Sequence, residues 1–251
     1  MPDLQSLAQR LDEAGRTATA IPALPESLTI DEARQVQKQT IERRLARGEK
    51  RVGVKIAFTS RTQTGQTGVR EVACGRLTDG MLIADGGATA MTRYVRPHAQ
   101  PTIAFLLKRE LIGIVTLMEA LSAVEAIGPA LEIVDSRIES SGLTDLVADN
   151  CSAVGFAVGA WHNPAIDTSN LGVLMSFDGR AQSIGSTAAI LGHPMRALVA
   201  AARLAAEADE PLQAGWIVIA GAAADARALS GVTWVECEAQ SLGRTGFRVT
   251  A

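Results

Sequence analysis

Hydrophobic positions recur at helical spacing near the N-terminus of the chain. Leu4, Leu7 and Leu11 follow Asp3, a residue type suited to capping the first turn of a helix. The pattern predicts an amphipathic helix that ends near Gly15. A proline-containing linker, IPALPES, separates it from the next periodic segment.

The second periodic segment carries its own start signal. Thr29 and Glu32 have the spacing of a capping box, in which each residue satisfies a backbone N–H of the other. An apolar stripe then runs to Gly48 and predicts a second helix. Its members are Ile30, Ala33, Val36, Ile41 and Leu45.

After Gly48 the pattern changes to short apolar runs separated by Gly-rich or polar turns. The runs that predict strands are RVGVKIAFTS, MLIAD, ATAMTRYV, TIAFLLKREL, ALEIVDSRI, AVGFAVGA, LGVLMSFDG, GWIVIAG, VTWVECEAQ and FRVT. Two further helices are predicted at 116–126 and 194–208. Many strands with few helices favour an α+β fold over an alternating parallel one. We expect one catalytic-type domain, with a helical portion at 1–51 and a β-rich core at 52–251.

Composition narrows the class of protein. The 251 residues are 47% hydrophobic and 20% charged, with a net charge of −3, as in a soluble globular protein. Without a basic excess, nucleic acid is not expected as a partner. A local basic cluster at 43–51 is typical of a solvated helix end, although a binding role stays open.

The expected cellular location of the protein follows from segments that the sequence lacks. It has no secretory signal and no run of about 20 apolar residues, so we expect no membrane association. Three distant cysteines, Cys74, Cys151 and Cys237, form neither a disulfide framework nor a zinc motif, which favours the cytoplasm.

Common catalytic motifs are absent as well. The sequence has no Walker P-loop, no GxGxxG, no HExxH and no GxSxG. His98, His162 and His193 share no metal-ligand spacing. Nucleotide, zinc-protease and serine-hydrolase functions are therefore unsupported.

Polar residues inside apolar strands remain as candidates. Lys55 interrupts VGVKIAF and either reaches solvent at an edge or holds an anion inside the fold. Glu132 lies in LEIVDSR, where an ionised carboxylate needs a partner. Structural roles are equally open nearby: Arg137 could pair with Asp135, and the Asp-Asn pair at 149–150 could form a turn.

Six collinear segments resemble one family. They are GVKIAFTS (53–60), RPHAQPTIAFLLKREL (96–111), ALEIVDSRI (130–138), DLVADNCSAVGFAVG (145–159), ILGHPMRALVAAARLAA (190–206) and LQAGWIVIAG (212–221). Together they resemble the 2-keto-4-pentenoate hydratase and 4-oxalocrotonate decarboxylase family of the fumarylacetoacetate hydrolase superfamily. The resemblance implies a mixed β-roll of the superfamily's C-terminal-domain type with an N-terminal helical portion. It also implies a homo-oligomer, or association with a related hydratase or decarboxylase subunit.

The resemblance further implies a divalent cation, Mg²⁺ or Mn²⁺, that stabilises an enolate of a small 2-oxo acid. Relatives supply three glutamates, and those positions fall here on Gln100, Thr102 and Glu132. Ala73 occupies the position of a family aspartate. With two anionic ligands replaced, we expect the metal to be weakly bound or lost.

The residue roles that the resemblance implies lead to three functional hypotheses. Lys55 and Glu132 are the expected catalytic residues, and Ser60, Gln100 and Thr102 the expected substrate-binding residues. The first hypothesis is a lyase of aromatic-compound catabolism that hydrates a 2-hydroxypenta-2,4-dienoate-like acid. The second is a metal-independent decarboxylase, isomerase or cyclase-like enzyme. The third is a catalytically degenerate binding or partner subunit.

Overall fold

Five α-helices lie in the residues that the computed structural model describes, which are 2–25, 27–59, 72–139 and 142–251. They are α1 (Leu4–Thr17), α2 (Ile30–Ala46), α3 (Leu117–Ser122), α4 (Leu143–Ala148) and α5 (Met195–Glu207). Asp3 caps α1 by accepting a hydrogen bond from the Ser6 N–H. The Thr29–Glu32 capping box of α2 is formed in both directions, so this predicted helix start is confirmed.

Thirteen strands and four short 3₁₀ turns make up the rest of the described secondary structure. The strands are β1 (Arg51–Ala57), β2 (Ala73–Thr78), β3 (Leu82–Ile83), β4 (Ala88–Ala90), β5 (His98–Leu107), β6 (Val124–Val134), β7 (Ala153–Val158), β8 (Gly172–Phe177), β9 (Arg180–Ser186), β10 (Ile217–Ile219), β11 (Arg227–Ala228), β12 (Trp234–Ala239) and β13 (Gly243–Thr250).

These strands form two mixed sheets. The larger has the order β2-β1-β10-β5-β6-β7-β3, with β11 added to β5, and the smaller has the order β4-β13-β12-β8-β9. β1 pairs in parallel with β10, whereas β5 is antiparallel to both β10 and β6. Since strands and helices are only partly interleaved, the predicted α+β class agrees with the architecture.

Opposite faces of the large sheet are covered by different layers. One face packs on the small sheet and α5 through a core that includes Ile103, Phe105, Leu198 and Phe247. On the other face α2 covers a smaller cluster containing Ile41, Leu77 and Phe156. A third cluster joins α1 and α2 to α4. The N-terminal helices α1 and α2 thus cover the face of the large sheet on which Lys55 lies.

Several boundaries differ from the prediction. The helix expected at 116–126 ends at Ser122, because β6 already begins at Val124. The strand expected in ATAMTRYV is only Ala88–Ala90, followed by a 3₁₀ turn at Met91–Arg93. The segment LTDLVA, for which no helix was predicted, forms α4.

Two longer strands, β2 and β9, had no counterpart in the prediction, and neither had the two-residue strand β11. β2 carries Arg76 in its interior, and β9 is a polar edge strand. Alternation of apolar and polar residues is weak in both, since Arg76 is buried through pairing and an edge strand need not be apolar on either face.

Candidate active site

Curling of the large sheet brings Lys55 to Glu132. Lys55 lies on β1 and Glu132 on β6, with β10 and β5 between them. Three strand spacings in a flat sheet would separate the two backbones by about 14 Å. Their side chains nevertheless form an ion pair between Lys55 Nζ and Glu132 Oε1. The pair therefore depends on the roll of the sheet and not on any local motif.

This ion pair is buried and incompletely satisfied. The side chains of Lys55 and Glu132 are 4% and 1% exposed. Glu132 Oε1 is paired with Lys55 Nζ, whereas among the described residues Glu132 Oε2 has no hydrogen-bond partner. A buried unsatisfied carboxylate is rare in folded proteins and marks a place where a ligand or a proton is handled.

Gly75 makes room for the lysine. It is the partner of Lys55 in the β1–β2 ladder, and a Cβ at this position would lie 2.8 Å from the Lys55 Cγ atom and 2.7 Å from the Asn150 carbonyl oxygen. Any larger residue would push the lysine stem away from Glu132. The glycine in ACGRLT is therefore part of the site's construction.

Gln100 and Thr102 lie on the same sheet face as the ion pair. Gln100 is directly opposite Glu132 in the β5–β6 ladder and reaches the floor of the cleft described below. Thr102 lies two residues further along β5 and is fully buried, and its hydroxyl donates to the Ile103 carbonyl at 3.2 Å. A substrate contact is therefore easier for Gln100 than for Thr102.

The loop after α4 closes one side of the site in a strained conformation. Asn150, Cys151 and Ser152 all have positive φ, at 53°, 51° and 60°. Three consecutive non-glycine residues in this region are costly, and strain of this kind concentrates at functional sites. The Asn150 side chain fixes the loop to β2 by accepting from the Arg76 N–H at 2.7 Å and donating to the Arg76 carbonyl at 2.9 Å.

A second buried ion pair supports this loop. Arg137 donates from Nε and from its backbone N–H to the Asp149 carboxylate, at 2.5 and 2.9 Å. The suggested pairing of Arg137 with Asp135 is wrong, because Asp135 instead accepts from the Val95 and Arg96 N–H groups, at 2.7 Å each. Burial raises the pKa of Asp149 to about 6, against the opposing effect of Arg137.

Lys55 forms the floor of an open cleft of about 600 Å³, which we call the Lys55 cleft. The exposed part of its lining carries three basic side chains, Arg96, His98 and Arg227, and one acidic side chain, Asp225. Arg227 is brought there by the pairing of β11 with β5. Arg96 and His98 lie in the segment RPHAQPTIAFLLKREL, but no sequence pattern linked them to Arg227, which is distant along the chain.

Cys151 is the thiol that lines the Lys55 cleft. Burial raises its pKa to about 12, although the nearby Lys55 ammonium acts in the opposite direction. At neutral pH the thiol is therefore protonated and is not a nucleophile.

The side chains present do not match the ligand set of a hard divalent cation. Such an ion prefers several anionic oxygens, whereas Glu132 is in contact with the Lys55 ammonium, Asp135 is occupied by two backbone N–H groups and Asp225 lies in the exposed lining of the cleft. Within residues 2–25, 27–59, 72–139 and 142–251, no three His, Cys, Asp or Glu side chains are grouped so as to hold a metal ion. Gln100 and Thr102 offer only neutral oxygens.

A 4-oxalocrotonate decarboxylase of Pseudomonas sp is 49% identical to the chain over 251 residues, covering 98% of both proteins. The chain belongs to the 4-oxalocrotonate decarboxylase and 2-keto-4-pentenoate hydratase family. A 2-keto-4-pentenoate hydratase of Paraburkholderia xenovorans (strain LB400) is 34% identical, over 97% of this chain and 93% of the relative. No family model matched the sequence.

Solved structures agree with this family assignment. The 4-oxalocrotonate decarboxylase from Pseudomonas putida G7, complexed with magnesium and adipate, aligns with a TM-score of 0.93 at 29% identity, over 98% of this chain and 97% of that one. A fumarylpyruvate hydrolase from Pseudomonas aeruginosa shares the fold, with a TM-score of 0.61 at 13% identity. The predicted family and superfamily fold are thus confirmed, and the chain is an enzyme of the lyase type found among these relatives.

Three further predictions concern Ser60, a membrane-spanning helix and the divalent metal. Ser60 lies outside the described residues, so its expected substrate contact stays a prediction. No helix in the described part of the chain is long and apolar enough to cross a bilayer. The family's divalent metal is seen in relatives, since a second structure of the Pseudomonas putida G7 decarboxylase contains calcium and acetate.

Proposed function

We propose that the chain decarboxylates a small 2-oxo dicarboxylic acid resembling 4-oxalocrotonate, with Lys55 as the electrophile. The observation that carries this proposal is the buried Lys55–Glu132 pair, whose lysine lines the Lys55 cleft. Similarity to a decarboxylase over nearly the full length of both proteins supports the choice of reaction.

Lys55 has the charge that the reaction needs. When the bond to the departing carboxylate breaks, CO₂ leaves and the electron pair moves through the conjugated chain to the 2-oxo oxygen, giving an enolate. An ammonium already held in a nearly dry site stabilises this oxygen without reorganising water. Glu132 orients Lys55 through their ion pair. Its unpartnered Oε2 is the atom we assign to proton transfer.

The mouth of the cleft suits the second carboxylate of such a substrate. Arg96 and Arg227 supply fixed positive charge, and His98 adds a further donor. Guanidinium groups match carboxylates in a two-pronged geometry. An acid with a single carboxylate and an apolar tail would leave part of this cationic rim without a partner.

Hydration of a 2-hydroxypenta-2,4-dienoate-like acid is the second candidate. It is supported by relatives such as a 2-hydroxypent-2,4-dienoate hydratase from Pseudomonas putida, which is 34% identical over 76% of this chain and 86% of the relative. In that reaction Lys55 would stabilise the enolate, while Glu132 would accept the 2-hydroxyl proton and then deliver it to carbon before water adds to the conjugated double bond.

Mg²⁺ and Mn²⁺ are expected to bind weakly, if a substrate carboxylate supplies the missing anionic oxygens, or to be dispensable. Support comes from the neutral Gln100 and Thr102 beside a single carboxylate. The lysine takes over the positive charge that a metal supplies elsewhere. We therefore treat the reaction as one carried out by side chains.

The remaining expectations concern assembly and location. We expect the chain to act as one catalytic unit within a homo-oligomer, and the exposed Ile114 and Met118, at 97% and 73%, are candidates for subunit contacts. Association with a related hydratase or decarboxylase subunit is the alternative. All three cysteines are free, which suits a reducing cytoplasm.

The test follows two substrates with purified protein. 4-Oxalocrotonate should release CO₂, and 2-hydroxypenta-2,4-dienoate should be consumed more slowly. Arg227→Met should raise KM for the dicarboxylate more than for the monocarboxylate. Faster turnover of the monocarboxylate, with no CO₂ from the dicarboxylate, would reverse the order of the two candidates. No turnover of either would support the non-catalytic alternative.

A further inference from the structure

A second cavity, of about 130 Å³, lies on the opposite face of β1 and β2 from the Lys55 cleft. We call it the Arg51 cavity. Neighbouring residues on a strand point to opposite faces, so Val54 lines this cavity while Lys55 lines the cleft. Its apolar wall comes mainly from α5 through Ala201, Leu204 and Ala205.

Positive charge exceeds negative charge at one end of this cavity. Glu210 accepts from Arg76 at 2.9 and 3.1 Å and lies 3.4 Å from the Arg51 guanidinium. Lys38 approaches the same carboxylate at 3.6 Å. Three cations thus share one anion, and two of them have side chains that are more than four-fifths buried.

Neighbouring groups do not restore the balance. Burial raises the pKa of the Cys74 thiol to about 11, so this wall residue is neutral at pH 7. Glu207, at the rim, is occupied by Arg203 and by Arg34 at 3.9 Å. Gln37 accepts from Arg76 without adding charge.

Arg51 is the cation with unused hydrogen-bonding capacity. Its Nε is buried and has no partner among the described residues. The guanidinium is held in place over the Trp216 ring, 4.9 Å from the centroid. A fixed, desolvated guanidinium with a free donor is the usual arrangement for receiving a carboxylate.

Size limits the rest of the ligand. An apolar cavity of about 150 Å³ accommodates benzene, so about 130 Å³ holds an alkyl chain of four to six carbons. We propose that the Arg51 cavity binds a small monocarboxylic acid, with its carboxylate on Arg51 and Arg76 and its alkyl tail against α5. This site is separate from the one in which we place the lyase chemistry.

The test is calorimetric titration of the full chain with hexanoate, with hexan-1-ol as the uncharged probe. Binding in the Lys55 cleft is removed with the variant Lys55→Met/Glu132→Gln, which deletes both charges of that pair together. Hexanoate should bind this variant at one site, and hexan-1-ol at least about tenfold more weakly, since charge-assisted hydrogen bonds are lost.

Two variants address the cavity itself. Ala205→Trp fills the apolar end and should abolish the heat of hexanoate binding. Arg51→Met should weaken binding at least about tenfold, whereas Arg248→Met, which removes an exposed cation on β13 outside the cavity lining, should leave it unchanged. These measurements use no turnover, so they stand or fall independently of the proposed reaction.

Two results would overturn the proposal. One is hexanoate binding that disappears in Lys55→Met/Glu132→Gln yet survives Ala205→Trp in the otherwise native chain, which would place the acid in the Lys55 cleft. The other is equal weakening by Arg51→Met and Arg248→Met, which would reduce the effect to net charge. If Ala205→Trp does not fold, Arg51→Met and its control decide the question.

Discussion

Two ionic centres lie on opposite faces of β1 and β2, and they differ in charge balance. Lys55 and Glu132 form a one-to-one pair with almost no exposure. Around Glu210, Arg51, Arg76 and Lys38 give three cations to one anion, with Glu210 24% exposed. The first centre has no net charge and the second has a clear excess.

This difference in charge balance distinguishes a site suited to catalysis from a site suited to ligand binding. A neutral buried pair attracts no anion strongly at rest, so its ammonium acts when negative charge develops on a bound substrate. A cationic excess beside an apolar wall attracts an anion in its ground state and gains nothing further from chemistry. The two centres therefore call for different experiments.

The largest expected effect comes from removing one member of the balanced pair. Lys55→Met leaves Glu132 buried and unpaired, which should cost about 3–5 kcal/mol in the free energy of unfolding. Turnover should fall by about 10²- to 10³-fold or more, because the electrophile is lost. Urea denaturation and CO₂ release measure the two effects.

The matched control is Lys55→Met/Glu132→Gln. It should recover much of the stability without recovering turnover. Equal destabilisation of the single and double variants would mean that the two charges do not stabilise each other.

Gln100→Glu tests the charge count of the same site. A carboxylate directly across the ladder from Glu132 should lower the melting temperature by several degrees through like-charge repulsion. Mg²⁺ or Mn²⁺ should then restore it, because the new pair of acids resembles a metal site. Gln100→Met, which adds no charge, should not respond to either metal. A metal response already present in the native chain would count against our assignment of the donor set.

Asn150 connects the two centres, since its side chain binds the Arg76 backbone while its loop lines the Lys55 cleft. Asn150→Ala should lose about 2–3 kcal/mol, combining lost hydrogen bonds with the cost of a left-handed alanine. Asn150→Gly loses the same bonds but tolerates positive φ, so it should be about 1 kcal/mol more stable than the alanine variant. Equal stability of the two variants would show that the loop is not strained.

The smallest effect expected is a pH dependence from Asp149. Its pKa in the folded state is about 6, above the ordinary value of 3.8. Between these values the folded chain binds a proton that the unfolded chain has released, so the contribution of Asp149 to stability falls as pH rises from about 4 to about 6. The free energy of unfolding of the native chain minus that of the Asp149→Asn variant, measured by urea denaturation, should be smaller at pH 6.5 than at pH 4.5. A difference that rises with pH would contradict the raised pKa.

Local structure and the candidate residues Lys55 and Glu132 were easier to predict from the sequence than the way in which distant residues meet in space. The capping box at Thr29 and the lysine inside VGVKIAF were recognisable because their signals are local. The pairing of Lys55 with Glu132 could be posed only as a question, because it depends on how far four strands curl. Arg227 and the partner of Arg137 were missed for the same reason, since distant segments bring them to their contacts.

The central claim is that Lys55, and not a bound metal, supplies the positive charge for the reaction. The most direct measurement is CO₂ release from 4-oxalocrotonate by protein dialysed against EDTA, before and after addition of Mg²⁺. Turnover should persist in EDTA, should change little with Mg²⁺ and should be absent in Lys55→Met/Glu132→Gln. Loss of turnover in EDTA with full recovery on Mg²⁺ would contradict the claim.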